Sequence, residues 1–141
     1  MALSAPTQRL AIRWEDVEND TRLLANQLKA IGQWHHIIAI VRGGLIPATL
    51  LAHQLNIQRM DTLTISREDH QIMGPAADGA GVLIVDELVD TGATIQAIRP
   101  RYPRAHVAVL YAKPHGRPMA DSVVREFPQD IWLDFPWEQD Y

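Results

Sequence analysis

The chain has no cysteine. That removes disulfides, thiolate nucleophiles and zinc–thiolate centres together, and it fits a reducing compartment. Lysine is scarce as well: of the thirteen basic residues eleven are Arg, and the only lysines are Lys29 and Lys113. Any chemistry that needs an ammonium group must use one of these two. Seventeen acidic residues outnumber the basic ones and leave a net charge of −4, so general nucleic-acid binding is not expected. The longest aliphatic run, Ile37–Val41, is too short to cross a bilayer. Met1–Asp20 lacks the basic-then-apolar order of a signal peptide. A cytoplasmic protein without a membrane span is the expectation. No internal repeat or Ser/Gly linker interrupts the 141 residues, 47% of them hydrophobic. One domain over 1–141 follows, long enough to bury roughly two-thirds of the surface its unfolded form exposes.

What is present alternates. A short strand is expected at Arg9–Trp14, then a helix from about Glu15 to Ile31 with Val17, Thr21, Leu24, Leu28 and Ile31 on one face. Gly32 stops it. His36–Val41 reads as a strand buried on both faces. Leu45–Leu55 reads as a helix that tolerates Pro47 in its first turn, and Arg59–Ile65 as the next strand. Ser66–Gly81 carries Gly, Pro and Asp without periodicity, which predicts a mobile loop. A strand at Val82–Val85, a helix at Thr91–Arg99, a strand at Ala105–Ala112 and a small strand near Ile131–Leu133 complete the order. Alternation of this kind predicts an α/β fold, with helices flanking a mostly parallel central sheet. Ligands of such sheets sit beyond the carboxyl ends of the strands.

One of those ends carries unusual chemistry. Val82-Leu83-Ile84-Val85 leads directly into Asp86-Glu87-Leu88-Val89-Asp90-Thr91-Gly92-Ala93-Thr94. A helix starting at Thr91–Thr94 would present free N–H groups, the positive end of its dipole and two hydroxyls, while Gly92 admits a close ligand: a cradle for phosphate. Asp86 and Glu87 cannot hold phosphate, since like charges repel. They suit sugar hydroxyls, or a Mg²⁺ that carries phosphates of its own. Strand-ending acids also cap ordinary turns, so the pair alone is ambiguous; it is the whole run that points to a phosphorylated sugar and a metal. Asp-Glu after aliphatics also suits a Walker B strand, but neither lysine lies in a G-x-x-x-x-G-K-[ST] loop, which excludes a P-loop NTPase.

The run from Val82 to Thr94 resembles the signature of type I phosphoribosyltransferases, which bind 5-phosphoribosyl-1-pyrophosphate (PRPP). The likeness is strongest to the bacterial xanthine–guanine phosphoribosyltransferases. It extends over Ile37–Pro47, Tyr111–Pro118, Pro128–Trp132 with Pro136-Trp137, and the surroundings of Trp14 and Trp34. The resemblance implies that Asp90, Thr91, Gly92, Ala93 and Thr94 hold the 5′-phosphate, that Asp86 and Glu87 grip the ribose, and that Asp86 serves Mg²⁺. It implies a pyrophosphate loop at Arg42, Gly43 and Gly44, often built on a non-proline cis peptide. Lys113 would donate to O6 of a purine, Trp132 would stack on the base, and backbone carbonyls near Leu133 and Asp134 would read the substituent at C2. Asp90 is the candidate acceptor for the purine N7 proton. PRPP and a purine base are then the implied partners, and a dimer or tetramer the implied assembly.

The sequence also departs from that pattern. Family members carry Asp or Glu at positions 86 and 87, and the Asp-Glu order is a mild variation. Ser66–Gly81 is shorter than the family's hood over bound substrate and offers only Arg67 and His70 as basic groups, and the chain has little beyond Trp137. The histidines show no ligand spacing and read as structural. Two rival expectations share the fold: a transferase for another base, and a PRPP-sensing regulator that binds RNA through Arg99, Arg101 and Arg104.

Overall fold

Two of the aliphatic runs have no polar face to offer water, and they form the centre of the sheet. In the computed structural model, which describes residues 8–77 and 79–138, β2 (His36–Ile40) is buried throughout, as is the first half of β5 (Val82–Val89). β2 lies parallel between β5 and β3 (Arg59–Ile65). β6 (His106–Ala112) and β7 (Ser122–Glu126) continue the parallel array beyond β5. At the other edge β4 (Ile72–Met73) returns antiparallel against β3, giving the order β4-β3-β2-β5-β6-β7. A separate parallel pair joins β1 (Gln8–Ala11) to β8 (Ile131–Asp134).

The α/β expectation of a mostly parallel sheet flanked by helices is met. α1 (Trp14–Ile31) and α2 (Leu45–Leu55) cover one face, where Val17, Leu24, Leu28, Ala48 and Leu51 pack on Ile37, Leu83, Val85 and Leu110. α3 (Ala93–Ile98) covers the other, with Ile95, Ile98 and Tyr102 against Ile38, Ile84, Val107 and Val109. Each fully buried Leu or Ile contributes about 1.5–3 kcal/mol of transfer free energy. α1 starts where Asp16 accepts a 2.9 Å bond from the Arg13 backbone N–H. A buried network ties the helix down: Tyr111 donates to Asp20 at 2.6 Å and Arg125 donates to it at 3.0 Å.

Several boundaries differ from the sequence expectation. β1 ends at Ala11, and Trp14 opens α1 rather than closing the strand. Ile31 is exposed at the end of α1 instead of completing its buried face. β5 runs on to Val89, so Asp86 and Glu87 lie within the strand. α3 is shorter than Thr91–Arg99. A 3₁₀ turn at Arg117–Met119 and β7 are additional. Ser66–Gly81, read as an unstructured loop, contains the β3–β4 hairpin. Arg101 anchors it by donating to the carbonyls of Ile72 and Gly74 at 3.0 and 2.7 Å, and the Tyr102 hydroxyl by donating to that of Pro75 at 2.7 Å.

Candidate active site

From β2 the chain leaves toward β3, and from β5 it leaves toward β6, on opposite sides. Neighbouring strands with diverging exits open a crevice at their carboxyl ends. Both predicted loops end there. The Val41–Arg42 peptide is cis, Arg42 is exposed, and the two glycines behind it fit against β5. A methyl group at Gly43 would fall on the Glu87 carboxylate; one at Gly44 would meet the carbonyl oxygens of Val85 and Ile40 and sit 3.0 Å from Asp86 Cα. Gly44 therefore excludes any side chain, because backbone atoms fill the space, whereas a side chain at Gly43 would displace the Glu87 carboxylate. The structure thus sets the Arg42-Gly43-Gly44 loop directly beside the acidic pair.

Asp86 and Glu87 are half-buried, and both resist ionisation. Burial is the first cause for each; for Asp86 the neighbouring Glu87 charge adds to it, and Glu138 contributes at Glu87. The Glu87 backbone N–H donates to Asp86 Oδ1 at 2.9 Å. Among the described residues no salt bridge reaches either acid, and the pair forms a site short of positive charge.

After β5, residues Asp86–Ile95 line a cleft of about 240 Å³. Gly92 has φ +87° and turns the chain into α3; a Cβ there would lie 2.8 Å from Met119 Cγ. Thr91, Ala93 and Thr94 are exposed around this turn. The Thr91 hydroxyl already accepts from the Ala93 N–H at 3.3 Å. A second cleft of about 370 Å³ adjoins it, with Ser66, Arg67 and His70 of the hairpin facing Ala93, Thr94 and Ala97 of α3. Arg67 and His70 thus share a cleft with Ala93 and Thr94 of the turn that follows Gly92.

Lys113 follows β6 and is 4% exposed. Its backbone N–H donates to the Val89 carbonyl at 3.0 Å, and its ammonium lies 3.7 Å from Asp90 Oδ2. A buried lysine needs such a partner to remain charged. Gly116 closes the same turn, where a Cβ would come within 2.7 Å of the Asp90 carbonyl. Trp132 on β8 is 47% exposed, with the Arg9 guanidinium 5.9 Å from its ring centre, while the Leu133 side chain is buried. The Asp134 carbonyl accepts from the Ile12 N–H at 2.8 Å, so of the two carbonyls expected to read C2, this one is already engaged.

Sequence reasoning gave no role to Gln129, yet its Nε2 donates to Asp90 Oδ1 at 2.6 Å. A lone glutamine carries no charge or periodicity that could have marked it. Three of the six histidines make side-chain contacts away from the site, His36 with Asp61 at 2.7 Å, His106 with Ser122 at 2.7 Å and His35 with the Ala80 carbonyl at 3.0 Å, whereas His70 lines the cleft beside Thr94. Of the arginines considered for RNA, Arg99 is engaged by the Ala105 carbonyl and Asp121, and Arg101 by the hairpin.

Comparison with known proteins agrees with this geometry. The phosphoribosyl transferase domain family matches residues 13–140. The structure of a purine phosphoribosyltransferase from Pyrococcus horikoshii Ot3 superimposes with a TM-score of 0.79 at 26% identity, over 96% of this chain and 97% of that one. A xanthine-guanine-hypoxanthine phosphoribosyltransferase from Helicobacter pylori has a TM-score of 0.77 at 23% identity, over 93% and 91%. A Neisseria gonorrhoeae protein with bound ppGpp shares the fold at a TM-score of 0.68 and 22% identity, over 94% and 90%. Among the described residues no helix is long and apolar enough to cross a membrane.

Proposed function

Because the chain belongs to the phosphoribosyltransferase family, we propose that it transfers the 5-phosphoribosyl group of PRPP to a 6-oxopurine, giving the nucleoside monophosphate and pyrophosphate. The observation that carries the choice of base is the Lys113 ammonium standing 3.7 Å from the Asp90 carboxylate in the crevice. A donor beside an acceptor matches the O6 and N7–H of xanthine, guanine or hypoxanthine. Adenine offers an amino group where O6 would be, and a buried ammonium cannot accept from it. The name of the Pyrococcus protein supports a purine, and that of the Helicobacter protein an oxopurine.

The roles follow from the charges that develop. The bond from C1 to pyrophosphate breaks, and the ribose acquires oxocarbenium character. The backbone and hydroxyls of Asp90–Thr94 hold the 5′-phosphate at the far end of the sugar. Asp86 and Glu87 accept from the 2′- and 3′-hydroxyls, and their negative charge favours the cationic ring. Arg42 presents a forked donor to the departing pyrophosphate, and Gly43 and Gly44 let it approach the backbone. Asp90 accepts the N7 proton as N9 attacks C1. Trp132 stacks on the purine, worth about 1–3 kcal/mol, and the Leu133 backbone faces C2.

Asp86 and Glu87 also suit Mg²⁺: a partly buried acidic pair lacking a counter-charge favours a cation. Among the described residues no group of three or more acids and histidines could enclose a metal, so substrate oxygens would complete the shell, as is usual for Mg²⁺. Asp86 would hold the ion, which when bound supplies positive charge to the pyrophosphate.

The test is to incubate the purified protein with PRPP, Mg²⁺ and each of guanine, xanthine, hypoxanthine and adenine, and to measure pyrophosphate release. Release with the three oxopurines and little with adenine is the expected result. Release with adenine alone, or with no base, would refute the proposal.

A further inference from the structure

The Gln129 side chain makes two hydrogen bonds that together fix which way its amide points. Nε2 donates to Asp90 Oδ1 at 2.6 Å, and Oε1 accepts from the His115 backbone N–H at 3.0 Å. Turning the amide over would face its carbonyl oxygen to a carboxylate and its NH₂ to another N–H, opposing like partners in both places. Asp90 is thereby held at both oxygens, Oδ1 by Gln129 and Oδ2 beside Lys113. Gln129 itself lies just before β8, in a turn where the Ile131 N–H donates to the Pro128 carbonyl at 3.3 Å. One amide thus joins the turn after β5, the turn after β6 and the approach to Trp132.

We infer that Gln129 is a positioning residue for the transfer. It saturates Oδ1 of Asp90 and orients the carboxylate so that Oδ2, next to the Lys113 ammonium, meets the base. The inference rests on the reading of Asp90 as proton acceptor. With Asp90 nearly half exposed, nothing but these two contacts restrains its side-chain torsions among the interactions described. A carboxylate free to rotate would spend much of its time misaligned, and misplacement of about 1 Å can cost 100-fold in rate.

Two variants separate positioning from simple loop anchoring. Gln129→Met keeps the length and removes both bonds. Gln129→Glu retains an acceptor for the His115 N–H, and so the anchor, but loses the donor to Asp90 and sets two carboxylates together. Both are expected to lower kcat about 10- to 100-fold with KM for PRPP changed less than about twofold. In an Asp90→Asn background, Gln129→Met should add less than about a twofold loss, because the group it orients is already gone. Wild-type kcat in Gln129→Glu, or losses that multiply in the double variant, would overturn the inference. Wild-type protein that releases no pyrophosphate with any base would instead defeat the catalytic reading. In that event the contact is still decided by solvent exchange of the Gln129 side-chain amide protons. Faster exchange in Asp90→Leu, which offers no acceptor, supports the contact, and equal exchange overturns it.

Discussion

The two ends of the central sheet are built on opposite principles. At the amino end, charged and polar groups are matched to partners: His36 to Asp61, His106 to Ser122, Arg99 to Asp121 and the Trp34 indole to the Leu28 carbonyl. The largest of the described clefts, about 660 Å³ and lined by Trp34, Arg99, Arg104 and His106, lies there, yet these partnerships occupy much of its chemistry. At the carboxyl end Asp86 and Glu87 stand side by side against their own ionisation, glycines replace side chains, and a buried lysine faces a half-exposed acid. The cleft that is largest is therefore not the one where perturbed groups gather, and the proposed site rests on those groups and not on cleft size. The acidic pair is what a magnesium ion and the sugar hydroxyls of the proposed substrate would satisfy.

The contrast can be broken by substitution at the carboxyl end. Asp90→Asn is expected to lower kcat by about 10² to 10⁴ with far less effect on PRPP affinity; steady-state kinetics beside PRPP titration would show it, and equal loss in both would remove Asp90 from proton transfer. Lys113→Ala should erase the preference for guanine over adenine, a change of about 10- to 100-fold in relative kcat/KM from the loss of one charged hydrogen bond. Competition between the two bases measures it directly. Asp86→Asn should weaken PRPP binding while raising the thermal midpoint of the ligand-free protein by about 3 °C. A fall in midpoint would show that the acidic pair is not a source of stress.

The smallest effect sharpens the other side. Burial holds the His106 imidazole below its ordinary value of 6.5, so the folded state prefers the neutral ring. Its contribution is present above 6.5 and is lost as pH falls below that toward the depressed folded value, where the unfolded chain binds the extra proton. Denaturant unfolding between pH 7 and 5.5 should show declining stability, and His106→Gln should flatten that decline.

What the sequence displayed depended on how far each feature reached along the chain. α2 and β3 fall at Leu45–Leu55 and Arg59–Ile65, where the sequence placed them, because the signals that bound them are local. The aliphatic run alone places the end of the strand at Val85, but register with β6 through Leu88–Tyr111 and Val89–Ala112 carries β5 on to Val89. β7 was missed because Ser122–Glu126 is half polar and short, and takes its form from lying against β6. At the proposed site, the Arg42–Gly44 loop and Lys113 took their roles from the family resemblance, and the Asp86–Thr94 run could be read from local chemistry. Gln129 could not, because its meaning lies in a contact 39 residues away.

The pairing of β1 with β8 has a consequence for assembly. Arg9 grips Asp134 with two branches of its guanidinium across 125 residues of chain, and the same Arg9 backs the ring of Trp132. Closing so long a loop is entropically costly, and during synthesis it must wait until β8 has emerged. The surface proposed for the purine is therefore completed after the Gly92 turn and the acidic pair, and shortening the polypeptide at its start would disturb the setting of Trp132 near its finish.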